Sequence, residues 1–252
     1  MKSVVMIPAR MASTRFPGKP IARIQGRTMV EHVYRRARLC SRVSEAYVAT
    51  CDDAIARACA GFGAPVIITS AKHERASDRI AEAARKVEAD IYVMVQGDEP
   101  MITPEMIDLA LEPFAKDPSV LCVNLAAPIG SDKEFRDPNT IKVVIGPRGD
   151  ALYFSREPIP SPRRDKDAWK SAYKQVCVIP FRGEFLKEFT ALKPTPLEIL
   201  ESIDMLRALE HGRPVRLVKC AAGTQSVDTP ADLERVEKLM ARDPLCASYA
   251  AA

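Results

Sequence analysis

Ser3-Val4-Val5-Met6-Ile7 is an apolar run stopped by Pro8, and Pro8-Ala9-Arg10-Met11-Ala12-Ser13-Thr14-Arg15-Phe16-Pro17-Gly18-Lys19-Pro20 follows it as a polar loop. An unbroken apolar run this short, ended by proline, reads as a buried strand and is too short for a signal peptide or a membrane span. Working outward, residues 29–40 have helical spacing, with Met29, Val33, Arg36 and Ala37 on one side and a basic outer face. Strand signals at 46–50, 66–68 and 91–95 then alternate with helix signals at 53–61, 77–87 and 104–114, the last opened by Pro104. This alternation predicts an α/β fold, a mostly parallel sheet with helices on both faces. Ligands in such sheets sit beyond the carboxyl ends of the strands, which singles out residues 8–19, 70–79 and 96–100.

After residue 120 the pattern changes. Residues 121–126, 142–145 and 151–154 read as strands joined by turns such as Asp137-Pro138-Asn139 and Gly146-Pro147-Arg148-Gly149. The Pro- and Arg-rich residues 158–170, which include Arg163 and Arg164, read as an exposed loop. A strand at 175–180, helices at 184–191 and 196–210, a strand at 215–219 and a helix at 230–242 complete the chain. The tail from Leu245 reads as frayed.

Length and composition narrow the class. With 252 residues, 47% hydrophobic and 28% charged, the chain fits a soluble single domain, 1–252, with a subregion inserted at about 127–190. A net charge of +4 with 6% aromatic residues gives neither the basic cluster nor the stacking platform of a nucleic-acid binder, so neither nucleic acid nor membrane is an expected partner. Seven scattered cysteines without a C-x-x-C pair point to a reduced, cytoplasmic setting rather than to disulfides or zinc.

The loop after the first strand carries Arg10, Arg15 and Lys19 and no anion. Guanidinium forks match phosphate oxygens and lysine acts as a point charge, each well-placed contact being worth about 1.5–3 kcal/mol. A solvated basic loop is the plain alternative; its place at a strand end favours a small polyanion. Pro20 follows Gly18-Lys19 where a P-loop needs Ser or Thr, and G-x-G-x-x-G is absent, which argues against a dinucleotide-dependent oxidoreductase. Asp98 and Asp228 each follow a predicted strand and face the same rim, where a hard cation would lie between carboxylates and phosphate. The structural alternatives are a turn acid at Asp98 and a helix N-cap at Asp228.

Taken in order, Pro8-Ala9-Arg10, Ser13-Thr14-Arg15 and Pro17-Gly18-Lys19-Pro20 belong with Val95-Gln96-Gly97-Asp98-Glu99-Pro100, Ala151-Leu152-Tyr153-Phe154-Ser155-Arg156 and Val227-Asp228-Thr229-Pro230. This set resembles the signature of the 3-deoxy-manno-octulosonate (Kdo) cytidylyltransferases over residues 3–239. The resemblance implies a Rossmann-like nucleotidyltransferase sheet with a small antiparallel insertion, and a homodimer paired through residues 155–185. It implies transfer of CMP from CTP to a small anionic acceptor, with release of pyrophosphate. Arg15, Lys19 and Asp98 would be catalytic, Asp98 and Asp228 would hold Mg²⁺, and Pro8, Ala9, Arg10, Ser77, Arg79 and Gln96 would contact the nucleotide. In His73-Glu74-Arg75-Ala76-Ser77-Asp78-Arg79, Arg75 and Ala76 replace the family's small Ser-Gly pair, and His73 reads as structural.

The acceptor side departs from the family. Its H-L-G-I-Y-G-Y-R segment appears as Gln175-Val176-Cys177-Val178-Ile179-Pro180-Phe181-Arg182, and its E-Q-L-R as Asp204-Met205-Leu206-Arg207. Arg156, Gln175 and Asp204 are the expected acceptor contacts. A site that must satisfy several hydroxyls rarely discards their partners. Two acceptors follow: Kdo or a related ulosonic acid in a rearranged pocket, or another acid such as a hydroxyalkyl phosphonate or a sialic-type acid. A non-catalytic nucleotide-binding module is the alternative from another class, against which Arg15, Lys19, Asp98 and Asp228 all stand intact. No cysteine has a partner for nucleophilic work, so in-line displacement at the α-phosphate without a covalent enzyme intermediate is expected.

Overall fold

A computed structural model describes residues 1–12 and 15–249; Ser13 and Thr14 of the first loop and Ala250, Ala251 and Ala252 of the tail lie outside the described residues. Two compact units are formed, Met1–Asp108 with the stretch from Thr224, and Leu109–Gly223.

The first unit opens with β1 (Ser3–Ala9), buried at every position as its apolar run requires. A hairpin of β2 (Arg23–Ile24) and β3 (Arg27–Thr28) follows. Gln25 and Gly26 at its tip have φ of 46° and 80°, the paired positive values that a two-residue hairpin turn demands. Then come α1 (Met29–Arg38), β4 (Glu45–Thr50), α2 (Asp53–Ala60), β5 (Val66–Ile68), α3 (Ala76–Ala84) and β6 (Ile91–Val95). The strands lie parallel in the order β6-β1-β4-β5. Helices α1 and α3 pack on β1 and β4, so the sheet core is built from Val4–Ile7, Val48 and Val93 with Val33, Ala37, Ile80 and Ala83. The parallel α/β architecture expected from alternation is present.

Helix α4 (Pro104–Lys116) carries the chain into the second unit. There β7 (Val123–Pro128), α5 (Asp132–Arg136), β8 (Lys142–Ile145), β9 (Ala151–Ser155), β10 (Tyr173–Val176), β11 (Val178–Arg182), α6 (Gly183–Ala191), α7 (Pro196–Glu201), α8 (Met205–Glu210) and β12 (Arg216–Lys219) follow. The sheet order is β12-β7-β10-β8-β9, antiparallel except for β12 beside β7. The first unit closes with α9 (Pro230–Met240) and α10 (Pro244–Ser248).

Several expectations are corrected. The strand expected at 175–180 is two strands parted at Cys177: β10 pairs with β7 and β8, whereas Phe181 of β11 bridges Cys122. A continuous apolar run does not show where a strand changes partner. The helix expected at 196–210 is interrupted at Ser202, whose φ of 54° ends α7 while the Ile203 amide bonds back to the Glu198 carbonyl at 3.3 Å. The stretch read as strands and turns contains α5, capped by Ser131, whose Oγ accepts from the Glu134 amide at 3.2 Å while the Glu134 carboxylate accepts from the Gly130 amide at 2.7 Å. The tail is not frayed where it is described: it forms α10 and buries Tyr249. No helix among the described residues is long and apolar enough to cross a membrane.

Candidate active site

The carboxyl ends of β1 and β6 meet because Gly97 permits it. A Cβ there would lie 2.8 Å from the Pro8 carbonyl oxygen, so only glycine lets the turn after β6 pass the end of β1 without a backbone shift. The Glu99 amide bonds to the Gln96 carbonyl at 3.2 Å, and that turn presents Asp98. From the other end of the chain, the Val227 amide donates to the Asp98 carbonyl at 2.9 Å, clamping the two acidic segments together.

Asp228 is not the cap of α9. Thr229 is, in a capping box with Asp232: the Thr229 side chain accepts from the Asp232 amide, and the Asp232 carboxylate accepts from the Asp228 and Thr229 amides at 3.2 and 2.9 Å. The Asp228 carboxylate is thereby left for other work. Its Oδ1 accepts from Arg15 Nη2 at 2.9 Å and from Lys19 Nζ at 3.3 Å, and the same Nζ donates to Asp98 Oδ2 at 2.8 Å. Arg15, Lys19, Asp98 and Asp228 thus form one bonded cluster.

Lys19 is delivered by a stiff turn. Gly18, at φ 74°, opens a 3₁₀ turn Lys19–Ile21, and Pro20 fixes the next φ. The loop closes on itself where the Gly18 amide bonds to the Met11 carbonyl at 3.2 Å. Burial pulls the Lys19 ammonium downward, but Asp98 and then Asp228 outweigh it and the pKa is raised. A lysine whose folded pKa is raised stays charged through neutral pH and loses its stabilising contribution only in strong alkali. That favours a fixed cation over a base at this position.

Asp52 belongs to this site and escaped the sequence reading. Its Oδ2 accepts from the Met11 amide at 2.8 Å, while its own amide bonds to Thr50 Oγ1 at 3.1 Å. The carboxylate so placed at the end of β4 anchors the start of the loop. The signal was available, since Asp52 follows a parallel strand just as Asp98 does.

Pro8 and Ala9 are buried at the end of β1, Arg10 is exposed beyond it, and Gln96 is half-buried in the Asp98 turn. Ser77 and Arg79 are buried in the first turns of α3. Arg79 Nη1 donates to Thr69 Oγ1 at 2.6 Å and to the Ser70 carbonyl at 3.3 Å, which binds α3 to the segment after β5. His73 pairs with Glu82, consistent with a structural role; the Ser70 amide, and then His73, hold the Glu82 carboxyl below its usual range. In the second unit Arg156 donates through Nε to the Glu201 carbonyl at 2.6 Å and through Nη1 to the Pro138 carbonyl at 2.9 Å. Gln175 Nε2 donates to Asn124 Oδ1 at 2.5 Å, and Asp204 sits at the start of α8. Arg163 and Arg164 are exposed loop charges.

The donor set bears on a metal. Among the described residues no three of His, Cys, Asp and Glu gather as a cation cage. Two carboxylates beside basic groups are instead what Mg²⁺ takes when phosphate and water complete its shell. That Asp98 and Asp228 already share one cationic group, the Lys19 ammonium, shows that the pair can face a common positive charge. Burial pushes the Cys40 thiol up to about 12 and the Cys59 thiol to about 11, so neither is a thiolate nucleophile at neutral pH.

Known proteins resemble this chain in sequence and in fold. A family model described as cytidylyltransferase matches residues 4–219. The 3-deoxy-manno-octulosonate cytidylyltransferases of Geobacter metallireducens and Geobacter sulfurreducens are 45% and 47% identical to this chain, over 96% and 95% of its length and 99% and 100% of theirs. A solved CMP:2-keto-3-deoxy-manno-octonic acid synthetase complexed with CTP is 43% identical, with a TM-score of 0.88 over 96% of this chain and 99% of that one. A 4-diphosphocytidyl-2C-methyl-D-erythritol synthase from Anaerococcus prevotii, at 13% identity and a TM-score of 0.64 over 96% of this chain and 97% of its own, shares the fold.

Proposed function

The chain belongs to the cytidylyltransferase family, and from that premise we propose that it transfers CMP from CTP to 3-deoxy-manno-octulosonate or a closely related ulosonic acid, releasing pyrophosphate. The observation that carries the reading is the bonded cluster of Arg15, Lys19, Asp98 and Asp228 at the strand ends. The relatives' names supply the acceptor class.

Arg10, Arg15 and Lys19 draw the triphosphate onto the loop, and the rigid Gly18-Lys19-Pro20 turn fixes its register. The acceptor hydroxyl gives up its proton to solvent as its oxygen attacks the α-phosphorus in line, and the bond to the bridging oxygen breaks as pyrophosphate leaves. Lys19 and Arg15 meet the charge gathering on the departing oxygens. Mg²⁺, held by Asp98 and Asp228, would neutralise phosphate charge and template the displacement. Gln175 and Asp204 are proposed acceptor contacts, and the second unit is proposed to pair two copies through residues 155–185 of a cytoplasmic homodimer.

The test is pyrophosphate release with CTP and Mg²⁺, offered Kdo, other ulosonic acids, sialic acid and small phosphonates. Release with Kdo supports the assignment; release only with another acid moves the acceptor and keeps the chemistry. Neither release nor CTP binding would sink the enzyme reading.

Asp52 gives a second expected outcome. Asp52→Ala removes the acceptor for the Met11 amide and is expected to raise KM for CTP about tenfold, the loss of one charge-assisted hydrogen bond. Asp52→Asn retains an acceptor oxygen and should stay within about threefold of the parent. Steady-state kinetics on the two variants, with equal values for both, would remove Asp52 from the site.

A further inference from the structure

The C-terminal helix α10 is tied into the interior by a chain of polar contacts that the displacement chemistry does not use. Arg36 is 1% exposed; its Nη1 donates to the Ile102 carbonyl at 3.1 Å, its Nη2 pairs with Asp243, and its Nε donates to Tyr249 Oη at 3.0 Å. His32 is fully buried between Tyr249 Oη, 2.9 Å from Nδ1, and the Ile24 carbonyl, 2.7 Å from Nε2. A carbonyl only accepts, so the network assigns the proton to Nε2; neutral His32 then accepts at Nδ1 from the Tyr249 hydroxyl. The donors run in one direction, Arg36 to Tyr249 to His32 to Ile24.

This chain ends on the backbone of β2, directly after the turn that carries Lys19. Ile24 and Tyr249 also belong to one buried apolar cluster with Val227, Met240 and Cys246. Phe16 and Met101 pack against that cluster. Each site segment is represented there: Phe16 adjoins Arg15 and its carbonyl accepts from the Lys19 amide at 3.2 Å, Met101 follows Asp98 and Val227 precedes Asp228.

We propose that Tyr249 is a positioning residue for the nucleotide loop, holding the Phe16–Lys19 turn through the His32 relay to Ile24 and through the cluster behind Phe16 and Val227. The proposal rests on the reading of that loop as the CTP site. The groups facing His32 are Tyr249 from α10, the Ile24 carbonyl from β2, Arg27 from β3, and Glu31 and Arg36 from α1. Burial lowers its pKa, the Ile24 contact raises it and Arg36 lowers it, with a net downward direction. Because the folded value is depressed, the contribution of neutral His32 is present above the unfolded pKa of about 6.5 and is lost as pH falls. Protonation would place a hydrogen on Nδ1 against the Tyr249 hydroxyl and break the relay.

Deleting α10 would strand the buried Arg36 and confound folding, so the test is Tyr249→Phe, which keeps the ring and removes Oη. Hydrogen exchange is read in the free protein at the Gly18, Lys19 and Ile21 amides, which bond to Met11, Phe16 and Gly18 carbonyls at 3.2, 3.2 and 3.1 Å. Exchange there is expected to quicken about fivefold or more while β1 and β4 amides stay unchanged. KM for CTP should rise about five- to tenfold with kcat within about twofold. The His32 ring, resolved by NMR from His73 and His211, should titrate at higher pH than in the parent. Faster exchange spread evenly over the protein, with KM and the His32 titration unmoved, would overturn the proposal and leave Tyr249 as packing. Local exchange changes in a protein that binds no CTP would support the positioning of the loop while the CTP reading fails.

Discussion

Asp98→Asn is expected to lower pyrophosphate release by on the order of 10²–10³-fold, the scale for removing one electrostatic stabiliser of a transition state. Asparagine keeps the size of the side chain and one acceptor oxygen, so the 2.8 Å contact with Lys19 has a substitute while the negative charge does not. The backbone clamp from the Val227 amide to the Asp98 carbonyl is untouched, and the Asp98 side chain is partly exposed, so the fold should persist. The deficit should therefore appear in turnover, together with loss of any thermal stabilisation by Mg²⁺ in the absence of CTP. Pyrophosphate release and thermal unfolding with and without Mg²⁺ read both effects. A variant that keeps release within about threefold would remove Asp98 from the mechanism and Mg²⁺ from this pair of carboxylates.

Asp98 and Asp228 were legible because each carries a positional signal, an acid directly after a strand in a parallel sheet. Lys19 was legible as a cation of the strand-end loop, but its bridging of both acids was not, because that depends on a contact between residues far apart in sequence. The N-cap alternative for Asp228 is removed by local chemistry: Thr229 and Asp232 satisfy the amides at the start of α9. Asp52 carries the same strand-end signal, but the basic residues of the neighbouring loop have a more obvious use. The two strands within 173–182 and the break at Ser202 were hidden, since apolar spacing reports burial and not the choice of partner. Tyr249 was hidden for a different reason. One aromatic in an alanine-rich tail makes no periodic pattern, and only the structure shows Arg36 and His32 waiting for its hydroxyl. Arg207, read within an acceptor segment, is likewise joined to Glu198 through two hydrogen bonds of 2.9 and 2.7 Å in the interior of the second unit.

Lys19→Met should give the opposite response to Mg²⁺. In the parent the Lys19 side chain is 13% exposed and its ammonium lies 2.8 Å from Asp98 and 3.3 Å from Asp228, acting as the counter-ion of both. Methionine keeps the apolar stem and deletes the charge, so the two carboxylates lose the cation that bridges them, while Arg15 stays bonded to Asp228. Like charges left facing each other destabilise the folded state, and a divalent cation relieves them by binding the folded protein in preference to the unfolded one. Without Mg²⁺ the variant should unfold at a lower temperature than the parent, and its midpoint should climb further than the parent's as Mg²⁺ is added. Turnover should still fall by about 10²–10³-fold at saturating Mg²⁺, because the fixed ammonium that meets the leaving oxygens is gone. The pairing of the two responses is what tests the site: Asp98→Asn loses the Mg²⁺-dependent stabilisation and Lys19→Met enlarges it, while both lose release. If Lys19→Met instead released pyrophosphate normally and ignored Mg²⁺ in thermal unfolding, the lysine would be a structural tie between two strand ends, and the catalytic role would pass to Arg15 and the metal.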